Sequence, residues 1–271
     1  IGFAVSLFVI RNIEKKKYKG MKFFGGAALA VFIPCLIAGL RDITIGTEVK
    51  MYVEPLYKLA YEAADFAAYR QAGYNSWRYM HVYEFEALFS TIIYIVAKVF
   101  KSFQVNLFVI ELLVIGPIFG ALVNIKKKIP TFSICMGMLM FYTMFYNVSL
   151  NLMRQSIAMA FILLAFSFLI LEKRGWAIFA AVLALGFHKT ALLGLVVYVV
   201  YWFIHSNFRL RVNGKSGRDI RLLYGEDKFI CLDIHVVLII VGSVLALLML
   251  GIISELLRNY CEKSCILLRK L

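Results

Sequence analysis

The sequence predicts an all-α, polytopic integral membrane protein, and three observations carry that prediction. Of the 271 residues, 62% are hydrophobic and 17% are charged, whereas a soluble domain is about half apolar and a quarter charged. The mean hydropathy is +0.81, a value typical of membrane proteins. Long apolar runs recur along the chain, and a run of about 20 residues can cross a bilayer as a helix.

The apolar runs predict about eight transmembrane helices in a single transmembrane domain, 1–271. The predicted spans are residues 1–10 (the end of a helix), 23–40, 103–123, 129–149, 156–171, 175–187, 190–204 and 234–253. The run 175–204 is divided at His188 and Lys189, because one helix of that length would be too long for the hydrocarbon core. The chain begins with Ile1 inside an apolar run, so we expect it to be a fragment of a longer protein.

Basic residues predict the side of each loop, because cytoplasmic loops of membrane proteins are enriched in Lys and Arg. Segment 11–22 contains six basic residues and one acidic residue, and segment 205–233 contains six basic residues. Both segments, and the lysines 126–128, are therefore predicted to be cytoplasmic, which makes 41–86 a large external loop. This alternation holds only if the short apolar run 87–100 does not cross, so we predict a re-entrant or interfacial helix there.

The net charge of +14 would favour nucleic acid as the partner of a soluble protein. In a membrane protein it reflects basic cytoplasmic loops, so the predicted partner is the lipid bilayer and no nucleic acid is expected. The five cysteines show neither a CxxC pair nor a His spacing typical of zinc. The sequence also lacks a Gly-rich phosphate-binding loop, and it predicts no metal and no cofactor.

Ionisable residues beside apolar runs mark a candidate site, because a charge near the hydrocarbon costs about 3 kcal/mol. Five such places occur, at Arg41 with Asp42, Glu86, Glu111, Arg154 with Gln155, and His188 with Lys189. All of them except the mid-span Glu111 are predicted to reach the external face. Arg41 could instead cap a helix or anchor it at the headgroups. Glu111 is expected to be a structural partner of another polar group.

The predicted external charges suit a phosphate-containing ligand. Arginines bind a diphosphate bidentately, and a carboxylate or a histidine can take a proton from an attacking hydroxyl. A transporter of anionic solutes would also use arginines, so composition does not name the substrate. Aromatic side chains of the external segment could stack on sugars or form an interfacial belt. They are Tyr52, Tyr57, Tyr61, Tyr69, Tyr74, Trp77, Tyr79 and Tyr83.

Four short motifs contain the candidate residues. The first has Arg41, Gly46, Thr47, Glu48 and Tyr52 in the pattern R-x-x-x-x-G-T-[DE]-x-x-x-Y, and the second is YEFEALF at 83–89. The third is NLMRQSIA at 151–158, and the fourth is FHKTAL at 187–192. Together they resemble the motifs of the EpsG family, Wzy-like polymerases of bacterial exopolysaccharide, capsule and O-antigen. Two departures are Glu48, where the family usually has Asp, and Ala87, where it usually has Pro.

The resemblance covers about residues 23–204 and implies a fold and a function. The fold would have a glycosyltransferase-C-like helical core in the bacterial plasma membrane. The enzyme would join oligosaccharide repeat units carried on undecaprenyl diphosphate at the external, periplasmic face. A flippase and a chain-length regulator of the same pathway would be its protein partners.

The resemblance also assigns roles to residues. Arg41, Arg154, Gln155 and Lys189 would bind the substrate diphosphate, and 46–52 would form a substrate loop through Gly46, Thr47, Glu48 and Tyr52. Asp42 or Glu86 would be the general base, with His188 as second choice for that role or as a diphosphate contact. Two alternatives remain, a non-enzymatic transporter of lipid-linked saccharide and another membrane transferase such as an O-antigen ligase.

Overall fold

The computed structural model describes residues 1–15, 21–76, 78–194 and 196, and these form a mostly helical protein. The predicted cytoplasmic loop 205–233, the predicted span 234–253 and most of the predicted span 190–204 lie outside the described residues.

The described ranges contain ten α-helices and one β-hairpin. The helices are α1 (Gly2–Lys15), α2 (Met21–Gly39), α3 (Glu54–Glu62), α4 (Phe66–Gln71), α5 (Ala87–Phe100), α6 (Phe103–Lys128), α7 (Ile134–Met140), α8 (Tyr146–Asn151), α9 (Met153–Ile170) and α10 (Arg174–Phe187). The strands β1 (Gly73–Asn75) and β2 (Tyr79–His81) pair antiparallel. Single π-helical turns cover Val49–Val53 and Phe141–Phe145, a 3₁₀ turn covers Val82–Glu84, and a new helix begins at 191.

Three of the described helices, α2, α6 and α9, are long and apolar enough to cross a membrane. The predicted span 129–149 needs a correction, because helix α7 begins only at Ile134. The chain turns at 129–133, and the Ser133 hydroxyl accepts a hydrogen bond from the Met136 amide at the start of that helix. The total of about eight spans and the glycosyltransferase-C-like core stay predictions.

The helix termini meet in two groups, one at each end of the bundle. At one end, Glu14 near the end of α1 contacts Lys126 near the end of α6, and we call this the Lys126 end. At the other end, α2 finishes against the start of α6, where a Cβ on Gly39 would lie 3.0 Å from the Gln104 carbonyl oxygen. We call this the Arg154 end, since α9 begins there. This grouping is the one that the charge pattern predicts, while the membrane face of each end stays a prediction.

Segment 41–86 is folded rather than an irregular loop. It contains α3, α4 and the hairpin, and its contacts extend to both ends of α5. Glu86 immediately precedes α5, and Lys98 near the end of α5 donates hydrogen bonds to the carbonyl oxygens of Tyr61 (3.1 Å) and Ala63 (2.5 Å). A re-entrant or interfacial helix would make such contacts, and that assignment of 87–100 stays a prediction.

Glu111 lies in the middle of α6 and is almost fully buried. Its Oε1 accepts a hydrogen bond of 2.8 Å from the Ser149 hydroxyl on α8. This contact is the structural partner expected for Glu111, because a buried polar group needs a hydrogen bond.

Candidate active site

The first and third motifs interlock at the Arg154 end. Gly46 has φ +100°, and a Cβ there would lie 2.5 Å from the Leu150 carbonyl oxygen, so both backbone conformation and space require glycine. The backbone amide of Thr47, the residue after Gly46, donates a hydrogen bond of 3.4 Å to Oδ1 of Asn151. These contacts hold segment 41–48 on the junction between α8 and α9, immediately beside Arg154.

Arg154 lies between two carboxylates and two aromatic rings. Its Nη1 is 3.1 Å from Glu86 Oε2, and its Nη2 is 3.4 Å from Glu48 Oε1. Its guanidinium carbon is 4.9 Å from the ring centroid of Tyr52 and 5.3 Å from that of Phe85. A planar cation with several donors can make all four contacts at once, which a lysine ammonium cannot do.

Glu86 connects Arg154 to His188. Nδ1 of His188 lies 2.7 Å from Glu86 Oε1, while the other oxygen of Glu86 faces Arg154. Burial raises the pKa of Glu86, but hydrogen bonds with His188 and with its own backbone amide, together with the charge of Arg154, outweigh burial and lower the pKa to about 2. An ionised carboxylate only accepts hydrogen bonds, so Nδ1 of His188 carries the proton. A neutral imidazole in this tautomer has its lone pair on Nε2.

Local structure explains why His188 and Glu86 meet. Helix α10 ends at Phe187, and His188 leaves it in an extended conformation at the predicted break. On the other side of the contact, Arg70 fixes the chain just before Glu86. Its Nη1 donates to the Val82 carbonyl at 3.1 Å and to the Ser90 hydroxyl at 2.7 Å.

Arg41 has a different environment from Arg154. Its Nη2 lies 3.8 Å from the sulfur of Met153, a weak acceptor. Its Nε and Nη1 are buried without a hydrogen-bond partner among the described residues. A buried guanidinium without a partner oxygen is available to an anion, because unpaired buried donors are costly.

Other predicted site residues lie apart from the Arg154–Glu86–His188 contacts. Asp42 is exposed and forms a turn in which its Oδ1 accepts the Thr44 amide at 2.8 Å. Hydrogen bonds from the Thr44 side chain and backbone lower the pKa of Asp42. The Lys189 side chain is exposed.

Gln155 lies on two apolar clefts, one on each side of α9. One cleft of about 460 Å³ is lined by residues of α6, of the helical stretch 134–151 and of α9. The other, of about 540 Å³, is lined by α9 and residues 190–194. Both clefts include Gln155, Met159 and Leu163, so the residue after Arg154 marks where polar and apolar surfaces meet.

Two of the aromatic residues of the external segment are buried and offer no face to a sugar. Tyr69 is fully buried and stacks on Tyr94, and Tyr57 is also buried. The ring of Tyr52 faces Arg154. Trp77 lies outside the described residues.

Sequence reasoning gave no role to Phe85 or Arg70. Phe85 precedes Glu86 inside the second motif, so its position was a usable signal for a ring beside the charged group. Arg70 is an ordinary basic residue in a polar segment, and only the folded chain shows that it fixes the backbone before Glu86.

The chain is thus an α-helical membrane protein. At one end of its bundle lies a largely buried ionic centre, which consists of Glu48, Glu86, Arg154 and His188. Residues 27–265 match the family model described as the EpsG family, and the chain belongs to that family. The resemblance seen in its four motifs is therefore confirmed. No curated protein and no solved structure matches it.

Proposed function

We propose that the chain is a polymerase that joins oligosaccharide repeat units, each carried on undecaprenyl diphosphate, into an extracellular polysaccharide. The reaction would take place at the outer face of the bacterial plasma membrane. Membership of the EpsG family supports a polymerase of exopolysaccharide. The observation that carries the proposal is the hydrogen bond between ionised Glu86 and His188, with Arg154 on the other carboxylate oxygen.

In the proposed step, Nε2 of His188 takes the proton of an acceptor sugar hydroxyl. The hydroxyl oxygen then forms a bond to the anomeric carbon of the donor chain. The bond between that carbon and the diphosphate oxygen breaks, and undecaprenyl diphosphate leaves with the electron pair. The step transfers a glycosyl group, and it requires neither oxidant nor reductant.

The geometry favours His188 over the two carboxylates as the base. Glu86 has a pKa of about 2, and a carboxylate that binds protons so weakly is a poor base at neutral pH. Glu86 instead orients the imidazole and stabilises its protonated form, as a carboxylate does in a hydrolase triad. Asp42 lies in an exposed turn, so we assign it no proton transfer.

The two arginines would divide the work of charge stabilisation. Arg154 is already paired with Glu48 and Glu86, so its main role is to position Glu86 and, through it, His188. Arg41 has two buried donor nitrogens without partners. Arg41 would therefore bind the diphosphate directly, and its charge would stabilise the leaving oxygen.

The clefts beside α9 would receive the lipid tails. A polyprenyl chain is apolar, and both clefts have apolar linings that reach Gln155. Donor and acceptor both carry a lipid, so a cleft on each side of the helix that begins at the ionic centre suits two lipid-linked substrates. Gln155 and the exposed Lys189 would contact the phosphates from the edge of these clefts.

Two other functions make different predictions. A transporter of lipid-linked saccharide would move repeat units without joining them, and a ligase would join finished chains to another acceptor. A transporter does not require a base poised by Glu86, whereas a ligase would use the same proton transfer and differ from a polymerase in its acceptor. The flippase and chain-length regulator proposed as partners would supply the donor and set the polymer length.

Complementation tests the proposed function. A strain that lacks this chain would receive the wild-type sequence, and its lipid-linked saccharides would be resolved by length on gels. A polymerase restores a ladder of repeats, while the deletion strain accumulates single repeats on the outer face. A ligase would leave free chains of normal length in the deletion strain, and a transporter would leave single repeats on the inner face.

A further inference from the structure

The β-hairpin of segment 41–86 and the 3₁₀ turn that follows it carry a group of exposed aromatic rings. Tyr79 and Tyr83 remain 54% and 57% exposed, and His81 lies between them in sequence. The rings of His81 and Tyr83 stack with centroids 4.9 Å apart and planes 14° from parallel. Tyr79 meets His81 edge-on at 5.1 Å. We call Tyr79, His81 and Tyr83 the aromatic platform.

Hydrogen bonds fix the backbone and the ring of His81 at the centre of the aromatic platform. The backbone amide of His81 donates to Glu84 Oε1 at 2.9 Å, and Arg78 donates to the other oxygen of Glu84 at 2.6 Å. Nδ1 of His81 lies 3.2 Å from the Gln71 carbonyl oxygen. Fixed rings lose little conformational entropy when a ligand binds, so this surface is preorganised.

Gly73 shapes one side of the aromatic platform. A Cβ on Gly73 would lie 2.5 Å from the hydroxyl oxygen of Tyr79, so the tyrosine ring lies across the glycine. An aromatic ring over a glycine of the neighbouring strand is a recurring way to support a hairpin. The arrangement keeps the Tyr79 ring against the hairpin.

We propose that the aromatic platform binds the saccharide chain, with sugar rings stacked on Tyr79 and Tyr83. Aromatic faces carry negative partial charge, and the C–H groups on the apolar face of a pyranose carry positive partial charge. The polar edges of the sugar would meet the Arg78–Glu84 ion pair and His81 around the rings. The proposal rests on the proposed function, and it adds a site for the polymer outside the centre of bond formation.

The polar groups around the aromatic platform suit a saccharide, whose hydroxyls can form hydrogen bonds with the Arg78–Glu84 pair. The exposed rings of Trp176 and Phe179 offer a contrast, since both lie on the apolar α10, where Phe168 and other apolar side chains surround them. Such rings suit an interfacial belt. The aromatic platform instead has an ion pair at its edge, and the chain continues from Tyr83 through Phe85 to Glu86. A bound polymer would therefore lead towards the ionic centre.

The experiment compares three variants at matched membrane levels. Tyr79→Ala with Tyr83→Ala removes both rings, the corresponding double Phe variant keeps both rings, and Gly73→Ala displaces the Tyr79 ring while both tyrosines remain. Phe179→Ala is the control, because Phe179 is similarly exposed (55%) but lies on α10. Purified protein in nanodiscs would be sedimented with polysaccharide from the producing strain, with dextran as the comparison polymer.

We expect the double Ala variant to retain roughly tenfold less polysaccharide and to make shorter polymer at an unchanged initial rate. The double Phe and Phe179→Ala variants should behave as wild type, and Gly73→Ala should fall between wild type and the double Ala variant. Wild-type retention and polymer length in the double Ala variant would overturn the proposal. So would a variant whose only defect is weaker insertion into membranes, the result for an interfacial belt. If the wild-type chain retained polysaccharide but formed no polymer, the proposed function would fail and the aromatic platform would stand.

Discussion

Two buried carboxylates lie at opposite ends of the helix bundle and have different kinds of partner. The Glu14 side chain at the Lys126 end is 12% exposed, and that of Glu86 at the Arg154 end is 11% exposed. Glu14 accepts backbone amides of Ile134 (2.8 Å) and Cys135 (3.1 Å) at the start of α7. Glu86 contacts the ionisable side chains of His188 and Arg154.

The two carboxylates are similarly buried, but their partners suit a structural role for Glu14 and, in the proposed function, a chemical role for Glu86. Burial raises the pKa of Glu14, while the two amides, Lys126 and Ser133 lower it below its usual value. Through these contacts Glu14 joins α1, α6 and α7. Glu86 holds an imidazole whose other nitrogen has no hydrogen-bond partner among the described residues. A helix start anchored by a carboxylate is a structural device, whereas a carboxylate and an imidazole together can move a proton.

The largest expected effect is that of His188→Gln. Glutamine keeps a hydrogen bond to Glu86 but cannot take a proton, so the polymerisation rate should fall roughly 10²–10⁴-fold while the protein still inserts. The measurement is the ladder of lipid-linked saccharides in the complemented deletion strain. His188→Ala should give the same accumulation of single repeats. A normal ladder from His188→Gln would make His188 a packing residue.

Arg154→Lys should lower the polymerisation rate by roughly 10²-fold, a size typical for loss of one preorganised polar contact. The ammonium cannot contact Glu48 and Glu86 together while it packs between Tyr52 and Phe85. Initial rates at matched expression would measure the loss. Arg174→Lys is the control, because Arg174 is exposed at the start of α10. Equal rates for both variants would show that Arg154 supplies only charge.

Glu14→Gln should differ from the His188 and Arg154 variants. It should lower the stability of the protein and leave the polymerisation rate per folded molecule unchanged. Removal of the charge weakens hydrogen bonds to two amides and to Lys126, which costs about 1–3 kcal/mol. Thermal unfolding in detergent micelles, together with the rate per folded protein, checks this expectation. If Glu14→Gln lowered the polymerisation rate without lowering the stability, the purely structural role of Glu14 would be contradicted.

A further expected effect is a pH dependence of stability from Glu86. Its pKa is lowered from 4.5 to about 2 in the folded protein, so its stabilisation is complete above pH 4.5 and is lost as the pH falls towards 2. The difference in melting temperature between wild type and Glu86→Gln should be constant from pH 7 to 5 and shrink below that. A difference that shrinks already between pH 7 and 5 would mean that Glu86 titrates with a higher pKa.

Several features of this site could be predicted from the sequence because they follow from charge and helix length. The break at His188 follows from an apolar run too long for one span. The meeting of Glu86, Arg154 and His188 follows from their shared end of the bundle. The division of roles could not be predicted, because it depends on which oxygens face each guanidinium. Arg41 and Arg154 are equivalent candidates in the sequence. Only the contacts show that Arg154 is paired with carboxylates and that Arg41 is not.

Other features depend on contacts between distant segments. Asp42 and Glu86 were equivalent candidates as bases, and the structure separates them because Asp42 closes a local turn with Thr44. The folded segment 41–86 has short elements, and the apolar residues of α4 pack on α5 as well as on each other. Such elements lack the periodicity that marks a long helix.

The central claim is that the centre formed by Glu86, His188 and Arg154 breaks the bond to a lipid diphosphate as it makes a glycosidic bond. The most direct measurement is the release of undecaprenyl diphosphate by the purified protein in nanodiscs, supplied with lipid-linked repeat units from the deletion strain. Wild type should release one undecaprenyl diphosphate for each new glycosidic bond, and His188→Gln should release almost none although the lipid-linked substrate still binds. Release at the wild-type rate by His188→Gln, or polymer growth without release, would contradict the account.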